Sequence, residues 1–236
     1  MMFVAREEYK VGTVLVTGGA SGLGAAICAA IADDGGAALV LDRRQPQGDF
    51  AHRVVDLADT RSAEEAVRSI VDASGGRLDA VVTAAGIDRC GKLADVDGKE
   101  WEHVIAVNLL GTAAVVRASL PYLAARHGRV VTVASTLGLK ALSDATAYCA
   151  SKFGVVGFTR ALAAETAGEI GVTLLIPGGM STRFFDDRPP QYRPGPDAKL
   201  NAPQNVAQAV LFALRQPAGC ELRELVIAAS EEPSWP

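Results

Sequence analysis

Short apolar runs alternate with longer segments of mixed polarity along almost the whole chain. The run 13–17 (TVLVT) has no polar face, as is typical of strands covered on both sides. The other predicted strands are 38–41, 53–55, 78–83, 129–134, 172–176 and 224–228. Because helical segments separate most of them, the pattern predicts an α/β fold with a doubly wound parallel sheet, as a single domain over residues 1–236.

The predicted helices are 22–32, a helix that begins after Asp59 and ends before Gly75, 99–125, 145–167 and 205–215. Pro121 should begin a new helical piece within 99–125 or kink the existing helix. Residues 182–203 have no clear periodicity and contain five prolines. An irregular segment of this length is usually functional, so residues 183–202 are predicted to form a substrate lid.

Composition excludes several function classes. The net charge is −4 with both signs interspersed, which favours neither a nucleic-acid partner nor an anionic membrane surface. The four cysteines are scattered, without the spacing of a zinc site or a disulfide framework. Residues 1–10 lack an apolar signal region, and no uninterrupted apolar run reaches the roughly 18 residues needed to span a bilayer. We therefore expect a cytoplasmic protein without a metal site.

Tyr148 and Lys152 carry the strongest chemical signal. On the predicted helix 145–167 they are four residues apart and share one face. An ammonium at that distance favours the phenolate, so the pKa of Tyr148 is expected to fall below its reference of about 10. A tyrosine tuned in this way can exchange a proton with a hydroxyl or a carbonyl oxygen.

A glycine-rich turn follows the first predicted strand. It has the form Gly18-x-x-x-Gly22-x-Gly24, with Ser21 and Leu23 between the glycines. Such a turn lets the backbone approach a pyrophosphate at the N-terminus of the next helix. The alternative is a tight strand–helix turn that binds nothing.

Asp42 ends the second predicted strand, 18 residues after Gly24, where an acidic residue would bind an adenosine ribose. Its carboxylate would accept hydrogen bonds from both ribose hydroxyls and repel a 2′-phosphate, so NAD is predicted over NADP. Arg43 and Arg44 follow directly, and a guanidinium there could instead pair with that phosphate.

Taken together, these motifs resemble the single-domain short-chain dehydrogenases/reductases. The resemblance covers roughly residues 11–215 and depends on motifs in the family's order and spacing. They are Thr17 to Gly24, Asp56-Leu57, Ala84-Ala85-Gly86, Asn108, Ser135, Tyr148-x-x-x-Lys152, and Pro177-Gly178 followed by Thr182. The resemblance implies a Rossmann-like sheet that binds NAD(P) across its strand ends.

The resemblance also implies a role for each matching position. Cofactor contacts are expected from Gly18, Ser21, Gly22, Leu23, Gly24, Asp42, Arg43, Asp56, Leu57, Ala84, Ala85, Gly86, Tyr148, Lys152, Pro177, Gly178 and Thr182. Ser135 would bind the substrate oxygen, Tyr148 would exchange its proton, and Lys152 would lower the pKa of Tyr148. Asn108 would bend its helix and help to position a water in a proton relay.

Two features depart from the family pattern. Thr83-Ala84-Ala85-Gly86 lacks the usual asparagines beneath the cofactor, and the chain ends in Ser234-Trp235-Pro236 without the family's Asp-Gly-Gly. The prediction is an NAD(H)-dependent oxidoreductase that interconverts a small-molecule alcohol and ketone, as a homo-oligomer (dimer or tetramer). The alternatives are an NADPH-dependent 3-ketoacyl thioester reductase and, from another class, a non-catalytic dinucleotide-sensing protein.

Overall fold

A seven-stranded parallel sheet forms the centre of the molecule. The structure is a computed structural model and describes residues 10–232. The strands are β1 (Thr13–Thr17), β2 (Ala37–Asp42), β3 (Ala51–Val54), β4 (Ala80–Thr83), β5 (Arg129–Val133), β6 (Gly171–Pro177) and β7 (Glu224–Ile227). They lie in the order β3-β2-β1-β4-β5-β6-β7, and each neighbouring pair is parallel. The predicted doubly wound sheet is confirmed.

Helices cover both faces of the sheet. They are α1 (Gly22–Asp33), α2 (Thr60–Ala73), α3 (Gly98–Ile105), α4 (Thr112–Ala124), α5 (Thr146–Glu165) and α6 (Pro203–Leu214). Alternate residues of β1 enter two separate apolar clusters, Val14 and Val16 with α1 and α6, and Leu15 with α2 and α4. This alternation explains why the strands carry no polar face: both of their faces are buried.

The strand order reverses between β1 and β4. The chain winds outward from β1 to β3, then returns across the sheet to β4 and continues in the opposite direction. The connections at the carboxyl ends of β1 and β4 therefore diverge and leave a crevice between them, where ligands of doubly wound sheets bind.

The long helical stretch after β4 is interrupted at another place than Pro121. Of the two predicted effects of Pro121, the start of a new helical piece is wrong, because α4 runs through it to Ala124, and the kink stays a prediction. The irregularity lies earlier, where a π-helical turn (Ala106–Gly111) joins α3 to α4. Asn108 lies in this turn, so the interruption coincides with a predicted site residue, as π-helical turns often do.

The same stretch is long and apolar enough to cross a membrane by length and composition. The most apolar 18-residue window of Gly98–Ala124 has a mean hydropathy of 1.6, although the stretch is not one uninterrupted apolar run. Inside the protein, 56% of its most apolar window is buried, and α4 packs against α2 and the sheet. Burial in the core accounts for this composition. The predictions for residues 1–9 and for the Trp235 tail lie outside the described residues.

Candidate active site

A cavity of about 770 Å³ opens at the carboxyl ends of the strands, at the reversal of strand order. It is lined by each of the predicted site residues except Asn108. These are Gly18, Ser21, Gly22, Leu23, Gly24, Asp42, Arg43, Asp56, Leu57, Ala84, Ala85, Gly86, Ser135, Tyr148, Lys152, Pro177, Gly178 and Thr182. The fold thus brings residues 160 positions apart in sequence into one crevice.

The turn after β1 requires glycine at Gly18 and at Gly24. Gly18 has a φ of +74°, and a Cβ there would lie 2.8 Å from the Ala85 Cα. A Cβ at Gly24 would lie 2.2 Å from the Gly18 carbonyl oxygen. The turn therefore packs α1 against the end of β1 at a distance that no larger residue permits.

The N-terminus of α1 faces the cavity without a side-chain cap. Ser21 is the N-cap residue in an extended conformation, and its hydroxyl accepts no hydrogen bond from the helix. The next residues, Gly22 and Leu23, line the cavity, so the unpaired N–H groups of the first turn are available to a ligand there. A helix N-terminus of this kind fits the pyrophosphate of a dinucleotide.

Asp42 connects the end of β2 to this turn. Its Oδ2 accepts a hydrogen bond from the Ala20 N–H at 3.0 Å, and its Oδ1 accepts one from the Arg44 N–H at 2.9 Å. The Arg44 guanidinium donates to the Ser21 hydroxyl at 3.1 Å. The sequence indicated Arg44, with Arg43, only as a possible partner of a 2′-phosphate. A carboxylate and a guanidinium therefore lie together at this end of the cavity.

The wall of the cavity beside Asp42 is formed by the residues that follow β3 and β4. Leu57 is buried and packs so closely on Gly111 that a Cβ there would lie 2.8 Å from it. Asp56 is exposed, and its Oδ1 accepts from the Ala58 N–H at 2.9 Å. Ala85, whose N–H donates to the Thr17 hydroxyl at 3.1 Å, continues this wall beneath the cavity.

Ser135, Tyr148 and Lys152 meet at the centre of the cavity. Ser135 follows β5, where its hydroxyl accepts from the Leu137 N–H at 3.1 Å and forms a hydrogen bond with Tyr148. The Lys152 Nζ lies 5.7 Å from the centre of the Tyr148 ring and donates to the Val133 carbonyl at 2.9 Å. These three side chains are all at least nine-tenths buried.

The expected effect of Lys152 on Tyr148 is wrong for the ligand-free protein. Burial raises the pKa of Tyr148 above its usual value, and the hydrogen bond from Ser135 only partly opposes this shift. Burial also lowers the pKa of Lys152 to about 8. The low-polarity surroundings therefore disfavour charge on both groups.

Asn108 lies one layer behind the cavity. Its Oδ1 accepts from the Ile87 N–H at 2.8 Å, and its Nδ2 donates to the Ile87 carbonyl and to the Ser151 hydroxyl. Ser151 in turn donates to the Tyr148 carbonyl at 2.8 Å. The π-helical turn thus ties the loop after β4 to the helix that carries Tyr148.

The loop after β6 closes the other end of the cavity. Thr182 faces the glycine turn, since a Cβ at Gly22 would lie 3.6 Å from its side chain, and its hydroxyl accepts from the Phe184 N–H at 3.3 Å. Sequence reasoning missed Glu232, whose Oε2 accepts from the Gly179 N–H at 2.9 Å. No motif includes Glu232, and only the return of the chain after β7 brings it here.

Two charged residues near Tyr148 were also missed. Asp88 and Arg188 line the cavity and form an ion pair, with 2.6 Å between the Arg188 Nη2 and the Asp88 Oδ2. They are 100 residues apart, so no sequence spacing signals their contact. Phe184 is a neighbour of both this pair and Tyr148: its ring centre is 5.7 Å from that of Tyr148 and 5.3 Å from the Arg188 Cζ.

Comparison with known proteins agrees with this geometry. Residues 12–193 match the family described as short chain dehydrogenase. This chain belongs to the short-chain dehydrogenase family. It is therefore an oxidoreductase that acts on CH–OH or keto groups of small molecules with NAD(P).

Individual members differ in their named substrates. The chain is 33% identical to a 3-oxoacyl-[acyl-carrier-protein] reductase of Thermotoga maritima, over 88% of this chain and 91% of that one. It is 39% identical to D-threitol dehydrogenase of Mycolicibacterium smegmatis, over 65% and 64%. The alcohol dehydrogenase of Thermococcus sibiricus, solved with 5-hydroxy-NADP, shares the fold, with a TM-score of 0.84 and 23% identity over 94% and 97%.

Proposed function

We propose that this enzyme prefers NAD(H) and interconverts a secondary alcohol and a ketone, with Tyr148 as the acid–base residue. The observation that carries the proposal is the buried cluster of Ser135, Tyr148 and Lys152 at the centre of the cavity. A hydroxyl hydrogen-bonded to a phenol, with an ammonium 5.7 Å from the centre of the phenol ring, can bind an oxygen atom and move a proton to or from it. A protein that only sensed the dinucleotide would need none of the three.

The proposed roles follow from the hydrogen bonds. The nicotinamide, when bound, supplies or accepts a hydride at its C4. In reduction, Ser135 donates a hydrogen bond to the carbonyl oxygen. As the new C–H bond forms, the electron pair of the C=O π bond moves to that oxygen, which takes the phenolic proton of Tyr148. Lys152 then replaces this proton, which its pKa of about 8 allows at neutral pH. Oxidation is the reverse.

Asp42 supports the preference for NAD. Its carboxylate is fixed by two backbone N–H groups at the adenosine side of the cavity, so a 2′-phosphate would meet a held negative charge. Arg44 opposes this argument, because its guanidinium already reaches Ser21 on the same side. We propose that repulsion by Asp42 dominates.

Binding of the two cofactors tests this preference directly. The purified protein is titrated with NADH and NADPH side by side, and nicotinamide fluorescence gives the two dissociation constants. Tighter binding of NADH by at least about tenfold is expected. Tighter binding of NADPH would assign Arg43 and Arg44 to the phosphate and favour the 3-ketoacyl thioester reductase, the activity named for the Thermotoga relative. Binding of neither would contradict the proposal altogether.

Two further properties belong to the same proposal. Apolar side chains such as Phe153 and Phe212 are exposed, and covering them in a homo-oligomer, a dimer or a tetramer, would remove them from water. Light scattering after gel filtration tests this assembly. All four cysteines are free thiols, which fits the reducing cytoplasm. We also assign the substrate lid to residues 183–202, which include Arg188.

A further inference from the structure

The ion pair of Asp88 and Arg188 is largely buried. The side chain of Asp88 is 3% exposed and that of Arg188 is 17% exposed. Placing two charges in a buried site is costly, and a single end-on contact compensates only part of the cost. Attachment of residues 183–202 to the rest of the fold does not by itself explain why this pair is buried.

Both residues also keep one buried hydrogen-bonding atom without a partner among the described residues. The Asp88 Oδ2 accepts from Arg188 and from the Cys90 thiol, but the Oδ1 accepts from nothing. The Arg188 guanidinium donates to Asp88 and to the Tyr192 carbonyl, but its Nε–H donates to nothing. Unpaired buried polar atoms are rare in native proteins and often mark a functional position.

These atoms lie near the reacting centre. Arg188 lies against the rings of both Phe184 and Phe185, with the Cζ 4.6 Å from the centre of the Phe185 ring. Phe184 touches Tyr148, and Asp88 and Arg188 act electrostatically on the phenol. The pair thus lies on the substrate side of Tyr148, at the opposite end of the cavity from Asp42.

We propose that Asp88 and Arg188 form a subsite for a second hydroxyl group, so that the substrate is a neutral polyol or hydroxyketone. This rests on the function proposed above. A hydroxyl can donate to the Asp88 Oδ1 and accept from the Arg188 Nε–H, which satisfies both atoms. A carboxylate on the substrate would be repelled by Asp88. A 3-oxoacyl thioester offers only acceptors on its reactive portion and would leave the Oδ1 unpaired.

The Asp88 Oδ1 and the Arg188 Nε are both buried by protein atoms. The residues around Arg188 must therefore shift as the substrate enters.

The matched pair of acetoin and 2-butanone tests the subsite, because the two ketones differ only in one hydroxyl beside the carbonyl. Reduction is followed with whichever reduced cofactor binds more tightly, and kcat/KM is compared, with erythrulose and acetoacetyl thioester added to the panel. The wild type should prefer the hydroxyketones to 2-butanone by about 10- to 100-fold. Asp88→Asn and Arg188→Lys should lower kcat/KM for acetoin at least about tenfold more than kcat/KM for 2-butanone, and so remove most of this preference.

Arg188→Lys is informative because it keeps the positive charge beside Asp88 but lacks the Nε–H. Asp197→Asn, in the same segment but exposed and away from the cavity, serves as the control and should keep the preference. Equal loss of activity toward both ketones would show a purely structural role and overturn the subsite. A wild type that prefers 2-butanone or the thioester would overturn the subsite and leave the dehydrogenase standing. No reduction of any ketone despite NADH binding would contradict the proposed function as well.

Discussion

The two ends of the cavity recognise their ligands by different means. On the cofactor side, the glycine turn, the uncapped start of α1 and the wall around Ala85 present backbone at close range. On the substrate side, Asp88, Arg188 and Phe184 present side chains carried by separate loops. The cofactor side depends on glycines, which leave the backbone uncovered, whereas the substrate side depends on the side chains of Asp88, Arg188 and Phe184.

The difference shows which part of the enzyme can change without loss of the fold. A Cβ at Gly18 or Gly24 would collide with backbone, so this surface is coupled to the packing of α1 on β1. The Arg188 segment makes its contacts through side chains and has few regular elements. We therefore expect substitutions of the turn glycines to cost stability, and substitutions of Asp88 and Arg188 to alter substrate selectivity.

Tyr148→Phe should have the largest effect, because Tyr148 lies where the two sides meet. Loss of the phenolic proton should lower kcat by about 10³-fold while the dissociation constant of NADH changes less than about threefold. Stopped-flow or steady-state turnover together with nicotinamide fluorescence measures both quantities. Tyr122→Phe is the control: Tyr122 donates to Asp72 far from the cavity and should leave kcat unchanged. Turnover close to wild type in Tyr148→Phe would refute the mechanism.

Gly24→Ala tests whether the cofactor side is coupled to the fold. The added Cβ would lie 2.2 Å from the Gly18 carbonyl oxygen, so α1 must move away from β1, at a cost of about 3 kcal/mol in the free energy of unfolding. Urea denaturation measures the change. Gly98→Ala is the matched control, since nothing lies within 4 Å of a Cβ there, and it should be neutral or stabilising by up to about 1 kcal/mol. Equal stability of the two variants would contradict the coupling.

The same contrast explains what could be predicted from sequence. The sheet follows from local signals, namely the apolar runs and the helical segments between them. Glycine spacing and the interval between Tyr148 and Lys152 indicate part of the cavity lining, and the resemblance to the family supplies residues such as Asp56, Ser135 and Thr182. The Asp88–Arg188 contact could not be predicted, because it depends on how an irregular segment folds over the sheet. The direction of the pKa shift of Tyr148 was wrong for a related reason. Spacing along a helix gives the distance to Lys152 but not the burial that outweighs it.

Lys152→Met should separate activity from stability. Burial lowers the pKa of Lys152 from 10.5 to about 8, so at pH 7 the folded protein carries an ammonium that is disfavoured there. Removing the ammonium should abolish turnover. It should also raise the free energy of unfolding by about 2 kcal/mol, which is the cost of burying the charge less the contribution of the lost hydrogen bond to Val133.

The pH dependence of this gain identifies its cause. Between pH 8 and 10.5 the unfolded wild type binds more protons at this lysine than the folded one, so the Lys152 contribution makes the wild type more stable as pH rises. The gain in Lys152→Met should therefore be constant below about pH 8, fall as pH rises, and become a loss of about 1 kcal/mol by about pH 10.5, where only the missing hydrogen bond to Val133 remains. Lys92→Met, at an exposed position, should show no such trend. A gain that does not change with pH would point to packing instead of charge.

Asp42→Ala should have the smallest effect of the set, because it removes a repulsion without altering the cavity shape. The affinity for NADPH relative to NADH should rise about tenfold, as the held carboxylate no longer opposes a 2′-phosphate. Fluorescence titration of both cofactors measures the ratio, and Asp33→Ala, exposed at the far end of α1, should leave it unchanged. Adding Arg44→Gln to Asp42→Ala should reverse the gain if the guanidinium beside Ser21 becomes the phosphate ligand. An unchanged ratio of the two affinities in Asp42→Ala would mean that the backbone of the glycine turn, and not the Asp42 carboxylate, determines the preference between NADH and NADPH.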